Sequence, residues 1–353
     1  MNKIMIFLKR YLCVLLIGCL VLAGCQKETK RDKPIGKVSY AYFDTVSYIY
    51  DYANDTDEEF DKFSSEVFGI LDYYHQLFDI YNYYENVNNL YVINSKAGIE
   101  PVKVDRELID FLLYCKELYN LTAGKMNVMM GAVLSIWHDH RQTAMDNPSL
   151  ATVPDMEQLQ QAAQHISIDS LVIDEAAGTV YIADCLARID VGAIGKGYAT
   201  EKAAQYLKEN KKDGYVLNIG GNIRIIGNKP DGSKWTTGIK NPNDPDENFP
   251  IKISIANTSC VTSGIYERYY TVNKVRYHHI IDEDTLMPAN YFSSVSVITE
   301  NSALADALST ALFCMSKEDG EKVIAKIGNV DVIWIYADGT VEYTENVKNF
   351  IVY

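Results

Sequence analysis

The stretch "DVGAIGKGYATEKAA", residues 190–204, sets an acid, three glycines and a lysine directly ahead of a helical run. Glycine lets a backbone turn tightly and approach a ligand, and a helix N-terminus points unpaired N–H groups and positive partial charge outward. That combination suits an anion, most often a phosphate. The spacing Gly192-x-x-Gly195-x-Gly197 matches neither the dinucleotide Gly-x-Gly-x-x-Gly nor the Walker Gly-x-x-x-x-Gly-Lys-Ser/Thr pattern, so both familiar nucleotide folds fit poorly. A plain strand-to-helix turn with a solvated Lys196 is the alternative. Asp190 favours the site, because an acid beside a phosphate is useful when it holds a metal, a hydroxyl or a base edge. Such a loop asks for a partner elsewhere in the chain.

The surrounding texture predicts an α+β fold of largely antiparallel sheets with packed helices. Val38 to Tyr50 alternates as a strand, whereas Asp57 to Phe78, the run opened by Asp105 and the shorter Asp155 to His165 have helical spacing. From residue 180 onward, short strands follow one another at 180–183, 215–219, 223–226, 235–239, 251–255, 259–262, 275–281, 293–299 and 330–336. Gly-containing turns separate many of them, and helices at 197–210 and 301–315 are expected to pack on a sheet face. There is no repeat and no Pro/Ser/Gly-rich linker, so residues 38–353 read as one domain.

Three further segments carry chemistry. In "NSALADALSTALF", residues 301–313, Leu304, Leu308 and Leu312 form an apolar stripe while Asp306 and Thr310 share another face. A carboxylate and a hydroxyl with room for carbonyls suit a hard cation such as Mg2+; a buried Asp–Thr hydrogen bond is the alternative. In "RYHHIIDEDT", residues 276–285, a strand carries His278 and His279 on opposite faces, followed by Asp282. A histidine there can take a proton near neutral pH or serve structurally. In "VLNIGGNIRIIGN", residues 216–228, Asn218, Gly220 and Gly221 form a turn that allows close backbone approach, or a simple hairpin.

The N-terminus reads as a targeting segment. Lys3, Lys9 and Arg10 precede an apolar run from Tyr11 to Ala23, shorter than the roughly 20 residues of a membrane span. It ends in Leu22-Ala23-Gly24-Cys25, which resembles a bacterial lipobox with Cys25 as the lipidated residue. Residues 1–24 are then a lipoprotein signal peptide and 25–37 a flexible tether, placing the chain outside the cytoplasm on a bacterial membrane. Losing residues 1–24 removes three positive charges and no acid, taking the formal charge from -14 to -17. Such an acidic chain is a poor partner for nucleic acid, and any anion site must build its positive field locally. Cys115, Cys185, Cys260 and Cys314 are widely spaced in apolar settings and read as buried thiols.

Together these segments resemble the ApbE family of FAD:protein FMN transferases, over roughly Tyr40 to the C-terminus. The family's Asp-x-Gly-Gly-x-x-Lys-Gly motif is matched by Asp190, Gly192, Ala193, Lys196 and Gly197, and its Asn-x-Gly-Gly-Asp/Asn turn by Asn218 through Asn222. Its Trp-x-x-Gly-Ile is matched by Trp235 through Ile239, its His-Ile-Ile-Asp by His279 through Asp282, and its Asp-Ala-x-x-Thr by Asp306 through Thr310. The segment "GKMNVMMGAVLSIWHDHR", residues 124–141, is similar to the family's Ser-x-Gly-Ala-Phe-Asp stretch before a tryptophan.

The resemblance implies a cleft for FAD, with its diphosphate at the glycine loop and Mg2+ held by Asp306, Thr310 and the carbonyl of Ala193. It implies FAD contacts from Phe43, Tyr81, Met126, Asp190, Lys196 and Ile281. A threonine hydroxyl of an acceptor protein, typically a membrane redox subunit, attacks the FMN phosphorus and AMP leaves. His279 is the candidate for the proton transfer, with Asp282 the alternative. Departures from the family pattern cluster at the rings: Phe43-Asp44-Thr45 replaces Met-Gly-Thr, Lys125-Met126-Asn127 replaces Ala-Phe-Asp, and Glu283 replaces a proline. Two other functions fit the same residues, an FAD pyrophosphatase giving FMN and AMP, and a non-catalytic FAD-binding lipoprotein.

Overall fold

The computed structural model of the chain describes residues 34–53, 55–242 and 251–352; the signal segment, Cys25 and most of the tether lie outside them. Ile35–Ser39 pairs antiparallel with Ser47–Asp51. The last three residues of the expected tether, 35–37, therefore lie in a strand. The single strand expected over Val38 to Tyr50 is instead two strands, split by a turn in which Phe43 and Asp44 take φ of 55° and 50°. No Gly or Pro marks that turn, and the alternation of Val38, Tyr40 and Tyr42 runs into it unbroken.

These two strands start an eight-stranded sheet that continues through Tyr215–Ile219, Asn222–Ile226, Ser259–Gly264, Ser294–Thr299, Asp331–Ile335 and Val341–Tyr343. Every neighbouring pair is antiparallel. Helices Asp57–Phe78, Gly195–Glu209 and Ser302–Phe313 bury their apolar faces in the main core with inward residues such as Ile49, Leu217 and Val297. A three-stranded sheet, with Trp235–Ile239 and Ile251–Ile255 paired, closes a second core over Ile225, Cys260 and Ile333. The Ser294–Thr299 strand is consequently buried along its whole length.

A third cluster around Trp137 joins the Gly131–Asp146 helix, which the sequence reading missed, to a hairpin of Tyr269–Val272 and Val275–His278. The second hairpin strand ends at His278, short of the expected Ile281. Three of the four cysteines are buried thiols as expected, but Cys185 is exposed. It sits in a turn against Gly98, where an added Cβ would come within 2.4 Å of the Cys185 Cβ. No helix among the described residues is long and apolar enough to cross a membrane.

Candidate active site

The glycine loop does meet the 302–313 helix. The Gly197 N–H donates to Asp306 Oδ2 at 2.7 Å, and Lys196 Nζ stands 3.9 Å from the same oxygen. Gly197 is the third residue of the Gly195–Glu209 helix, whose first four N–H groups have no acceptor within the helix, so the Asp306 carboxylate satisfies one of them. The approach is possible because residue 197 lacks a side chain: a Cβ there would lie 2.3 Å from Asp306 Cβ and 2.4 Å from the Ser302 carbonyl oxygen. Alanine favours helix by about 1 kcal/mol over glycine, but backbone on a buried helix cannot yield to such a clash. Gly197→Ala is therefore expected to lose about 1–3 kcal/mol net, measured by urea unfolding.

Asp306 is 4% exposed, and burial pushes its carboxyl above the ordinary range against the opposing pull of Lys196, Asn222 and the Gly197 N–H. Thr310 Oγ1, half-buried, lies 3.2 Å from Ser263 Oγ. Asp306 and Thr310 thus find separate partners, and a mutual hydrogen bond is not their reason for sharing a face.

Cations gather nearby in an otherwise acidic chain: Arg268, Lys196 and Arg141 act on His279, and Arg141 and Arg268 on Asp190. Arg141, from the 131–146 helix, donates to His138 Nδ1 at 3.1 Å, and Arg268, at the foot of the hairpin, reaches the Asp44 carbonyl at 3.5 Å. Neither arginine has a carboxylate within ion-pair distance among the described residues. Burial and then Arg268 hold the Arg141 guanidinium below its ordinary range. Two facing cations without a carboxylate partner are arranged for an anion. Sequence reasoning missed both, since a lone arginine carries no pattern; Arg141 lay at the end of a segment read for other reasons.

His279 closes the hairpin, with its backbone N–H and its Nδ1 both 3.1 Å from the Arg268 carbonyl oxygen. A carbonyl only accepts, so Nδ1 carries the proton and Nε2 offers a lone pair. Burial, followed by Arg268, Lys196 and Arg141, pulls its pKa down to about 3, leaving the ring neutral at pH 7. His278, by contrast, is buried with Nε2 at 2.9 Å from the Ala289 carbonyl, a structural role.

Asp190 accepts the Gly192 N–H at 2.8 Å, and burial raises its pKa against His138, Arg141 and Arg268. It lines a cleft of about 300 Å³ with Tyr81, His138 and Arg188. Tyr81 is 56% exposed, its ring centroid 5.3 Å from that of His138. The Phe43–Thr45 turn reaches the same region: Thr45 packs against Gly220, where a Cβ would meet Thr45 Oγ1 at 2.5 Å. Phe43 itself is half-buried with its N–H 3.3 Å from His75 Nδ1.

Three expected site residues are placed otherwise. Met126 is 2% exposed in the main core and Ile281 is buried in the Trp137 cluster, so neither side chain offers a surface to a ligand. Asp282, 2% exposed, is locked by Lys125 Nζ at 2.6 Å, and its backbone N–H and C=O close the turn to Met287 and Leu286. That arrangement anchors the loop after His279 and leaves no free carboxylate for proton transfer. The departures noted in sequence explain each other here: Lys125 also pairs with Asp284 at 2.7 Å, and Asn127 Nδ2 donates to Glu283 at 3.1 Å.

Among the described residues no three His, Cys, Asp or Glu side chains gather into a metal cage. The oxygen set of Asp306, Thr310 and a backbone carbonyl nevertheless fits a hard cation that takes few protein ligands. The buried Asp306 carboxylate, only loosely matched by Lys196, is the local feature that agrees with it.

A family profile described as "ApbE family" matches residues 36–334. A protein of Treponema pallidum (strain Nichols) described as an FAD:protein FMN transferase is 32% identical over 263 residues, covering 70% of this chain and 71% of that one. One from Vibrio cholerae serotype O1 with the same description is 26% identical over 341 residues, 94% of this chain and 96% of that one. The crystal structure of an ApbE protein from Thermotoga maritima MSB8 superimposes with a TM-score of 0.79 at 27% identity, over 91% of this chain and all of that one.

Proposed function

The chain belongs to the ApbE family, and on that premise we propose that it transfers FMN from FAD to a threonine hydroxyl of an acceptor protein, releasing AMP. What supports the reading most is the contact of Gly197 with Asp306, which sets a phosphate-binding helix start and Lys196 against a buried acid.

Asp306, Thr310 and the Ala193 carbonyl would hold Mg2+, which as a Lewis acid neutralises charge on the phosphate being transferred. Lys196, Arg141 and Arg268 bind the diphosphate oxygens, and Asp190 and Tyr81 bind FAD along the cleft. The acceptor oxygen forms a bond to the FMN phosphorus while the bond from that phosphorus to the bridging oxygen breaks, and AMP departs with the bridge. The hydroxyl proton passes to Nε2 of His279. Lipidation at Cys25 would tether the enzyme outside the cytoplasm, beside acceptors of the membrane redox type.

Incubation with FAD and Mg2+, with and without a threonine-bearing acceptor, tests this. Flavin fluorescence on the denatured acceptor is the expected result. Free FMN without acceptor would make the protein a pyrophosphatase, and intact FAD in both samples would make it a binding protein.

A further inference from the structure

Beneath the candidate cation site lies a second layer of buried polar contacts in the same register. Gly197 and Glu201 are one turn apart on one helix, as are Ser302 and Asp306 on the other. The upper rung is the Gly197 hydrogen bond to Asp306, and the lower is Glu201 Oε2 accepting the Ser302 N–H at 2.9 Å. A strand supplies a matching pair, since Asn222 and Arg224 leave the same face two residues apart. Arg224, wholly buried, donates Nε to that Glu201 oxygen at 3.1 Å and Nη1 to the Ile225 carbonyl at 2.6 Å.

The lower rung is thus a buried ion pair joining two helices and a strand. In the upper rung the amide of Asn222 is held more loosely. Asn222 is 3% exposed and its Nδ2 has no acceptor within 3.5 Å, yet its amide is turned toward Asp306 closely enough that hydrogen bonding from it favours the ionised carboxylate. A buried amide left unpaired costs about 1–3 kcal/mol. Carboxylates that hold metal ions are themselves held by hydrogen bonds from behind.

We propose that Asn222 is a positioning residue of the cation site, its amide steadying the Asp306 carboxylate when a divalent cation occupies the carboxylate's other side, with the Arg224–Glu201 pair keeping strand and helices in register. This rests on the cation assigned to Asp306 above. Asn222 touches neither substrate nor cation and acts through Asp306.

The test is a manganese titration of the full chain, followed by electron paramagnetic resonance of free Mn2+, with thermal melting in EDTA alongside. Asn222→Ala and the near-isosteric Asn222→Leu are expected to weaken Mn2+ binding about tenfold or more. Their melting temperatures in EDTA should equal or exceed that of the wild type, because a loosely held buried donor is gone. A fall in melting temperature with wild-type manganese affinity would overturn the proposal and make Asn222 a packing residue. Wild-type protein that binds Mn2+, loses it in Asp306→Ala and keeps it in both Asn222 variants would refute this inference alone. Wild-type protein that binds no Mn2+ would instead remove the cation reading on which it rests.

Discussion

Asp306→Ala is expected to lower Mg2+-dependent AMP release from FAD by about a thousandfold or more while leaving a folded protein. Asp306 is the sole carboxylate in the proposed oxygen set, so its loss removes the charge that holds the cation rather than one neutral ligand among several. Its removal also frees Lys196 from its only acidic neighbour within 4.0 Å among the described residues. The structural consequence is smaller. The Gly197 N–H is left without its acceptor, at about 1–3 kcal/mol, but a buried carboxylate whose charge burial disfavours is removed with it. AMP measured by chromatography, with melting as a control, checks the point. Turnover within tenfold of wild type would place the cation elsewhere.

His279→Ala is expected to slow transfer by about 10²–10⁴-fold, the usual range for losing a positioned base. The geometry also fixes how the wild-type rate should depend on pH. Nδ1 is committed to the Arg268 carbonyl, and the pKa is drawn down to about 3, so Nε2 keeps its lone pair through the range where free imidazole titrates. The acid limb of kcat/KM assigned to this group should therefore fall well below pH 6.5, and no step should appear between pH 6 and 8 on its account. The sign for stability follows. Because the folded pKa lies below the unfolded one, the unfolded chain binds more protons between about pH 3 and 6.5. Stability is lost as pH falls through that window, and His279→Gln should flatten the slope there. An acid limb near 6.5 that vanishes in His279→Gln would show that the ring is not shielded as described.

Much of the site was legible because its residues carry local patterns. The glycine loop had to sit at a helix start, and it is Gly197, lacking a side chain, that lets this helix start meet Asp306. What stayed hidden depends on tertiary pairing. Arg141 and Arg268 acquire meaning only when a helix and a hairpin foot far apart in sequence come close enough for the two guanidinium groups to act on each other. Asn222 looked like part of a hairpin turn, and it is one, paired with Ile219; its loosely held amide is visible only in three dimensions. Met126 was misplaced because an apolar residue at a ligand-contact position of the family reads the same whether it faces the ligand or, as here, the core. Asp282 misled because a carboxylate after a histidine suggests catalysis, and its partner Lys125 lies too far back in sequence to suggest the ion pair.

The central claim is that an acid and an alcohol on one buried helix, set against a glycine-loop helix start, grip a divalent cation where a diphosphate binds. Anomalous scattering from crystals grown with Mn2+ and FAD tests it directly. A manganese peak within about 2.0–2.3 Å of the Asp306 carboxylate, bordered by Thr310 and the Ala193 carbonyl, is the predicted result. A peak elsewhere, with Asp306 still held only by Gly197 and Lys196, would contradict the account.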